Sequence, residues 1–222
     1  MLGCVLFDLD GTLADTAPDL GGALNRVRVE EGLAPLPLAA TRPVTSQGVR
    51  GLLRVGFDIT PEDGRYPGLS ERVLAHYAAH ICEETRIFDG LEQVLHELES
   101  RGIRWGIVTN KHSRFTVPLV RALGYETRAA CVVSGDSAAR PKPHPDTLLH
   151  ACGLVSLAPT DCVYVGDDER DVQAGRAAGM PTIVAAWGYL GQGTPPEAWG
   201  ADSIVSTPDS LLDALAALPV QS

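Results

Sequence analysis

A chain of 222 residues is long enough for one large α/β domain, or for one domain that carries an insertion. Hydrophobic residues make up 45% and charged residues 21%, a balance that excludes disordered and collagen-like chains. The net charge of -10 argues against nucleic acid or a membrane as partner, although a local cation can still draw in a small anion.

No apolar run approaches the ~20 residues that cross a bilayer. Met1-Leu2-Gly3-Cys4 shows neither a charged leader nor a cleavage site. The cysteines are Cys4, Cys82, Cys131, Cys152 and Cys162, with no pair at metal or redox spacing, which suits a reducing cytoplasm.

In chain order, the first strand is expected at Cys4–Phe7. From Leu13 to Arg86 only helical patterns follow. Leu20, Leu24, Val27 and Glu31 mark a helix, opened by Thr16 with Asp19 three residues on, like a capping box. A shorter helical segment lies near Val49–Val55, and Asp58 to Gly68 reads as a loop. Leu69, Val73, Tyr77 and Ile81 mark another helix, on which His76 and His80 read as a solvated face. The helix expected at Leu91–Arg101 has Gly102 as its stop.

Strands are expected at Ile103–Val108, Cys131–Ser134, Cys162–Val165, Thr182–Ala186 and Ile204–Val205. Helical stretches at Phe115–Leu123, Asp146–Cys152, Asp171–Ala178 and Ser210–Leu218 alternate with them. That alternation predicts an α/β fold, a doubly wound parallel (Rossmann-like) sheet over residues 1–14 and 87–222. A small all-helical cap is expected at 15–86.

Ligands of open parallel sheets sit beyond the carboxyl ends of the strands. There the chain offers Asp8-Leu9-Asp10-Gly11-Thr12, Thr109-Asn110-Lys111, Arg140-Pro141-Lys142-Pro143 and Gly166-Asp167-Asp168-Glu169-Arg170-Asp171. Lys111 and Lys142 are the only lysines, against sixteen arginines. Asp8, Asp10, Asp167 and Asp171 on one rim would repel one another unless a cation sat among them. Oxygen ligands without His or Cys suit Mg²⁺. Such an ion with Lys142 would neutralise a phosphoryl group gripped by Thr109 and nearby backbone N–H groups. A carboxylate could then attack phosphorus, while a second acid protonates the leaving oxygen.

Asp8-Leu9-Asp10-Gly11-Thr12-Leu13-Ala14-Asp15-Thr16, Thr109-Asn110, Lys142 and Gly166-Asp167-x-x-x-Asp171 resemble the four signature motifs of the haloacid dehalogenase superfamily. The runs Trp105 to Lys111, Val165 to Asp168, Ala177 to Met180 and Trp187 to Tyr189 are similar to its bacterial phosphoglycolate phosphatases and to the related N-acetylmuramic acid 6-phosphate phosphatases. The resemblance implies a cytoplasmic Mg²⁺-dependent phosphatase acting on a small phosphorylated metabolite through an aspartyl-phosphate. Phosphoglycolate is the leading substrate, and a monomer or homodimer is expected.

By motif position, Asp8 is the nucleophile and Asp10 the general acid and base. Lys142 balances charge, and Thr109 and Asn110 hold phosphoryl oxygens. The metal falls to Asp8, the Asp10 carbonyl and Asp167, with Asp171 and Asp168 behind them. Arg50 in the cap is a candidate carboxylate contact. Dehalogenases and phosphonate hydrolases of this type lack the second acid, so Asp10 argues against both. A β-phosphoglucomutase-like phosphomutase and a sugar-phosphate phosphatase remain the alternatives, and a non-catalytic binding protein is disfavoured by the intact motif set.

Overall fold

The computed structural model describes residues 2–191 and 193–218. Met1, Gln192 and residues 219–222, which the sequence reading assigned to the core, lie outside the described residues. Six parallel strands form the main sheet: β1 (Cys4–Phe7), β4 (Arg104–Val108), β5 (Val132–Val133), β6 (Cys162–Gly166), β7 (Thr182–Ala185) and β8 (Ser203–Val205). Their spatial order is β5-β4-β1-β6-β7-β8, so β1 lies centrally, between β4 and β6. All six are the strands expected from the sequence, with no end shifted by more than one residue.

Successive residues of each strand face opposite sides, and both sides are apolar. Val5, Phe7, Trp105, Ile107, Val163 and Val165 pack with α5 (Leu91–Ser100), α6 (Ser113–Ala122) and α9 (Leu211–Ala217). Cys4, Leu6, Val108, Cys162 and Tyr164 pack instead with α7 (Asp146–Val155) and α8 (Glu169–Ala178). Two covered faces explain why these strands read as unbroken apolar runs.

Between β1 and α5 the chain forms α1 (Ala17–Glu30), α2 (Leu38–Thr41), a 3₁₀ turn (Arg42–Gln47), α3 (Gly48–Phe57) and α4 (Tyr66–Ala79). These helices bury their own cluster, including Leu20, Leu24, Leu52, Leu53, Val73 and Tyr77, and Phe115 of α6 joins it. Pro67 in the first turn starts α4 inside the stretch expected to be loop. No strand was expected between Leu13 and Arg86, yet β2 (Ala14–Asp15) and β3 (Arg86–Ile87) pair antiparallel, Ala14 opposite Ile87. Two residues are too few to show a period.

The expected capping box at α1 does not form. Thr16 stands at the N-cap, but its hydroxyl donates to Asp10 at 2.6 Å instead of bonding its own helix. Asp19 accepts from the Glu84 and Thr85 backbone N–H groups at 2.9 Å each and from the Thr85 hydroxyl at 2.7 Å. Tertiary partners outcompeted the local ones. A capping box does form at α8, between Asp168 and Asp171. His76 meets Glu30 at 2.6 Å on the outer helical face.

Candidate active site

The loop after β1 turns back at once. Leu13 N–H donates to the Asp8 carbonyl at 3.2 Å and Ala14 N–H to Leu9 at 2.9 Å. Gly11 adopts φ +88°, and a Cβ there would run into the Asp167 carboxylate. Glycine thus lets the first loop press against the end of β6.

Lys142 is the hub. Its buried ammonium lies 2.9 Å from Asp8 Oδ1, 2.7 Å from Asp171 Oδ1, 2.6 Å from the Tyr164 hydroxyl and 3.2 Å from the Val108 carbonyl. Burial disfavours the charge on Lys142, but Asp171 and Asp8 outweigh it and raise its pKa, so the lysine stays protonated. Burial also dominates at Asp8: it pushes the carboxyl up to about 6 against the pull of Lys142, with Asp171 and Asp10 adding repulsion. Tyr164 donates to the Val108 carbonyl at 2.7 Å. Within a strand read as uniformly apolar, nothing marked its hydroxyl as part of this centre.

Asp167 is fully buried and accepts from the Thr12 hydroxyl and the Tyr189 N–H, each at 2.8 Å. Burial, then Asp8 and Asp171, push its pKa well above the ordinary range. Oxygens of Asp8, Asp167 and Asp171 all lie within 4.8 Å of one another. Three buried carboxylates, two of them paired with Lys142, form a hard-oxygen set that fits a divalent cation such as Mg²⁺. Asp171, assigned a place behind the metal ligands, thus offers an oxygen to the same trio.

The remaining site candidates fall into place around this trio. Asp10 turns its carboxylate toward Thr16 and toward Lys111, whose ammonium lies 2.8 and 2.9 Å from its two oxygens. Thr109 is buried, and its hydroxyl accepts the Lys111 N–H at 3.2 Å.

Asn110 lies at the same strand end, its side chain bound at both ends to the Lys142 main chain, at 2.9 Å each way. The amide thus braces the lysine loop from both sides of Lys142. Both oxygens of Asp168 pair with Arg170, at 2.7 and 2.9 Å, which lowers its pKa despite burial, and its N–H donates to Asp171 Oδ2 at 3.0 Å. Arg170 reaches on to the Ser46 carbonyl at 2.8 Å, joining α8 to the helical insertion. A doubled acid followed two residues on by arginine was the available signal for this pair.

Above these groups lies a cavity of about 370 Å³. Asp8, Asp10, Thr109, Asn110, Lys142, Asp168 and Asp171 line its floor, while Thr45, Ser46, Gln47, Arg50 and Tyr77 reach it from the insertion. His112 and Arg114 also line it. The Ser46 and Tyr77 hydroxyls there are buried without a hydrogen-bond partner. Trp187 and Tyr189 are not walls of this cavity. Trp187 donates to the Thr12 carbonyl at 3.0 Å, and the Tyr189 hydroxyl accepts the Thr16 and Ala17 N–H groups at 2.8 and 2.9 Å.

A family model of haloacid dehalogenase-like hydrolases matches residues 5–185. The chain is 46% identical over 209 residues to a phosphoglycolate phosphatase of Xylella fastidiosa (strain Temecula1), covering 93% of this chain and 90% of that one. It is 38% identical over 214 residues to an N-acetylmuramic acid 6-phosphate phosphatase of Pseudomonas aeruginosa, covering 96% and 95%. Among solved structures, a predicted phosphoglycolate phosphatase from Haemophilus somnus superimposes with a TM-score of 0.84 at 23% identity, over 96% of this chain and 98% of that one. With its motifs gathered at one strand rim and its sequence matched across most of its length, the chain belongs to the haloacid dehalogenase-like hydrolase family.

Proposed function

We propose that this protein is a Mg²⁺-dependent phosphatase of small phosphomonoesters, with phosphoglycolate as its leading substrate. The observation that carries the reading is the bridging of Asp8 and Asp171 by Lys142 at 2.9 and 2.7 Å, beside Asp167. That arrangement leaves one nucleophilic carboxylate on the floor of the cavity. The helices of residues 15–86 serve as a cap over it, and closure would exclude water.

The Asp8 carboxylate attacks phosphorus, forming an acyl phosphate as the ester P–O bond breaks. Asp10 gives its proton to the departing oxygen, then takes one from water. The activated water attacks the same phosphorus, breaks the acyl phosphate bond and returns Asp8 as a carboxylate. The Thr109 hydroxyl proton, free because its oxygen only accepts from Lys111, is available to a phosphoryl oxygen. Lys142 holds Asp8 in line and offsets the gathering negative charge. Asp8 and Asp167, together with the Asp10 carbonyl or Asp171, would hold Mg²⁺. When bound, that ion supplies positive charge to the phosphoryl oxygens.

A second reading takes support from the cavity itself. Its apolar stretch of Leu20, Val49, Leu74 and Phe115 has room beyond a two-carbon acid, which favours an N-acyl sugar phosphate such as N-acetylmuramic acid 6-phosphate. Arg50 lies on the same cavity and would meet a carboxylate in either substrate.

Phosphate release with Mg²⁺ from phosphoglycolate, N-acetylmuramic acid 6-phosphate, hexose phosphates and pyrophosphate ranks the candidates. Chelation should abolish release, and Asp8→Asn should abolish it while the protein stays folded. An isomerised hexose phosphate without free phosphate would indicate a mutase. Full turnover by Asp8→Asn would remove the nucleophile assignment.

A further inference from the structure

The chain has two lysines, and the mechanism above uses one. The other is only slightly more exposed. The Lys111 side chain is 7% exposed and its Asp10 partner 14%, with the ammonium 2.8 and 2.9 Å from the two carboxylate oxygens. From the helical insertion, Tyr77 of α4 lays its ring over the same ammonium, 4.9 Å from the ring centroid. Tyr77 is itself 1% exposed and packs on Phe115 at 5.4 Å between ring centroids. Main-chain bonds fix the lysine's own loop: its N–H donates to Thr109, and its carbonyl accepts from Gly135 and Thr116.

We infer that Lys111 is the positioning residue for Asp10. Its ammonium, anchored on the second strand-end loop and roofed by Tyr77, grips both carboxylate oxygens and fixes where Asp10 meets the leaving oxygen. The site thus divides its lysines, with Lys142 on the nucleophile and Lys111 on the acid and base. Thr16 supplies the carboxylate's other anchor at 2.6 Å, from the start of α1. Asp10 is therefore held from both sides of the junction between sheet and insertion. A side chain carrying a proton to a 3 Å target must be held that closely for its contribution, ~100-fold or more, to be realised. The inference rests on the phosphatase reading.

The test compares two leaving groups with Mg²⁺ present. p-Nitrophenolate departs without needing a proton, whereas an alkoxide depends on Asp10. Lys111→Met is expected to lower kcat ~100-fold on the alkyl phosphate that the wild-type protein hydrolyses fastest, and less than ~10-fold on p-nitrophenyl phosphate. Lys111→Arg keeps a charge beside Asp10 and the buried ion pair. It should retain most of the wild-type ratio between the two substrates, and it supplies the reading if the methionine variant does not fold.

An equal loss on both esters from either variant would reduce Lys111 to a structural role and overturn the inference. So would a higher KM at unchanged kcat, the mark of a substrate contact. Hydrolysis of neither ester by the wild-type protein would instead remove the phosphatase reading, and the inference with it.

Discussion

Tyr189 does three jobs from one position. Its backbone N–H donates to Asp167, its hydroxyl oxygen accepts the first two free N–H groups of α1, and that hydroxyl faces Asp15 at 3.0 Å. Helix N-termini leave such donors without partners, and leaving a buried one unpaired costs about 1–3 kcal/mol. Tyr189→Phe is therefore expected to lower unfolding free energy in urea by about 2 kcal/mol, with the ring still packed. Unchanged stability would refute the capping account. The sequence placed this residue near the rim but not on α1, because its partners lie more than 170 positions away. Asp8, Lys142 and Asp167 were legible for the opposite reason. Asp8 and Asp167 directly follow strands with clear apolar runs, Lys142 follows one past a loop, and strand ends of a parallel sheet converge whatever the sequence between them. Arg170 and Tyr164 were not, since each departs from its local pattern only by a tertiary contact.

At the scale of elements, α1 is tied to the chain's return path rather than capped by its own neighbours. Asp19, 6% exposed, collects three hydrogen bonds from Glu84 and Thr85. Hydrogen bonds to an ionised group are worth about 1.5–3 kcal/mol each and do not add fully. Asp19→Ala should accordingly cost about 3 kcal/mol, and it should loosen residues 83–85 in amide hydrogen exchange before the main sheet. Equal protection in variant and parent would refute that tie. The helices of the insertion were legible from apolar spacing alone. The antiparallel pair β2–β3 was not, because its strands hold two residues each. Thr16 and Asp19 formed a plausible capping box on paper, and only the fold brings Asp10 and the 84–85 backbone close enough to take their side chains away.

For the whole molecule, the electrostatic consequence is set by Asp8, Asp10, Asp167 and Asp171 facing Lys111 and Lys142, which leaves two negative charges uncompensated at one rim. Folding raises the Asp8 carboxyl from 3.8 to about 6, and Asp167 moves the same way. A carboxyl with a raised value takes up a proton on folding, so its effect is fully favourable below the unfolded value and is lost as pH climbs through the folded one. With divalent ions chelated, stability should fall between pH 5 and pH 7.5, by about 1.4 kcal/mol for Asp8 alone, since pH 5 lies one unit below its folded value and each unit is worth 1.36 kcal/mol. Added Mg²⁺ should flatten that slope by taking the proton's place. Chelated protein that is equally stable or more stable at pH 7.5, followed by urea unfolding, would contradict this balance.

The pairing of Ala14 with Ile87 sets the chain's departure from the sheet beside its return, because paired strands run only about 5 Å apart. Everything hung between those two points can grow, shrink or be exchanged while the hydrogen-bonded ladder beneath keeps its register. Evolution can therefore retool what this scaffold admits by grafting at a single seam, leaving the acid-bearing rim to go on breaking the same bond.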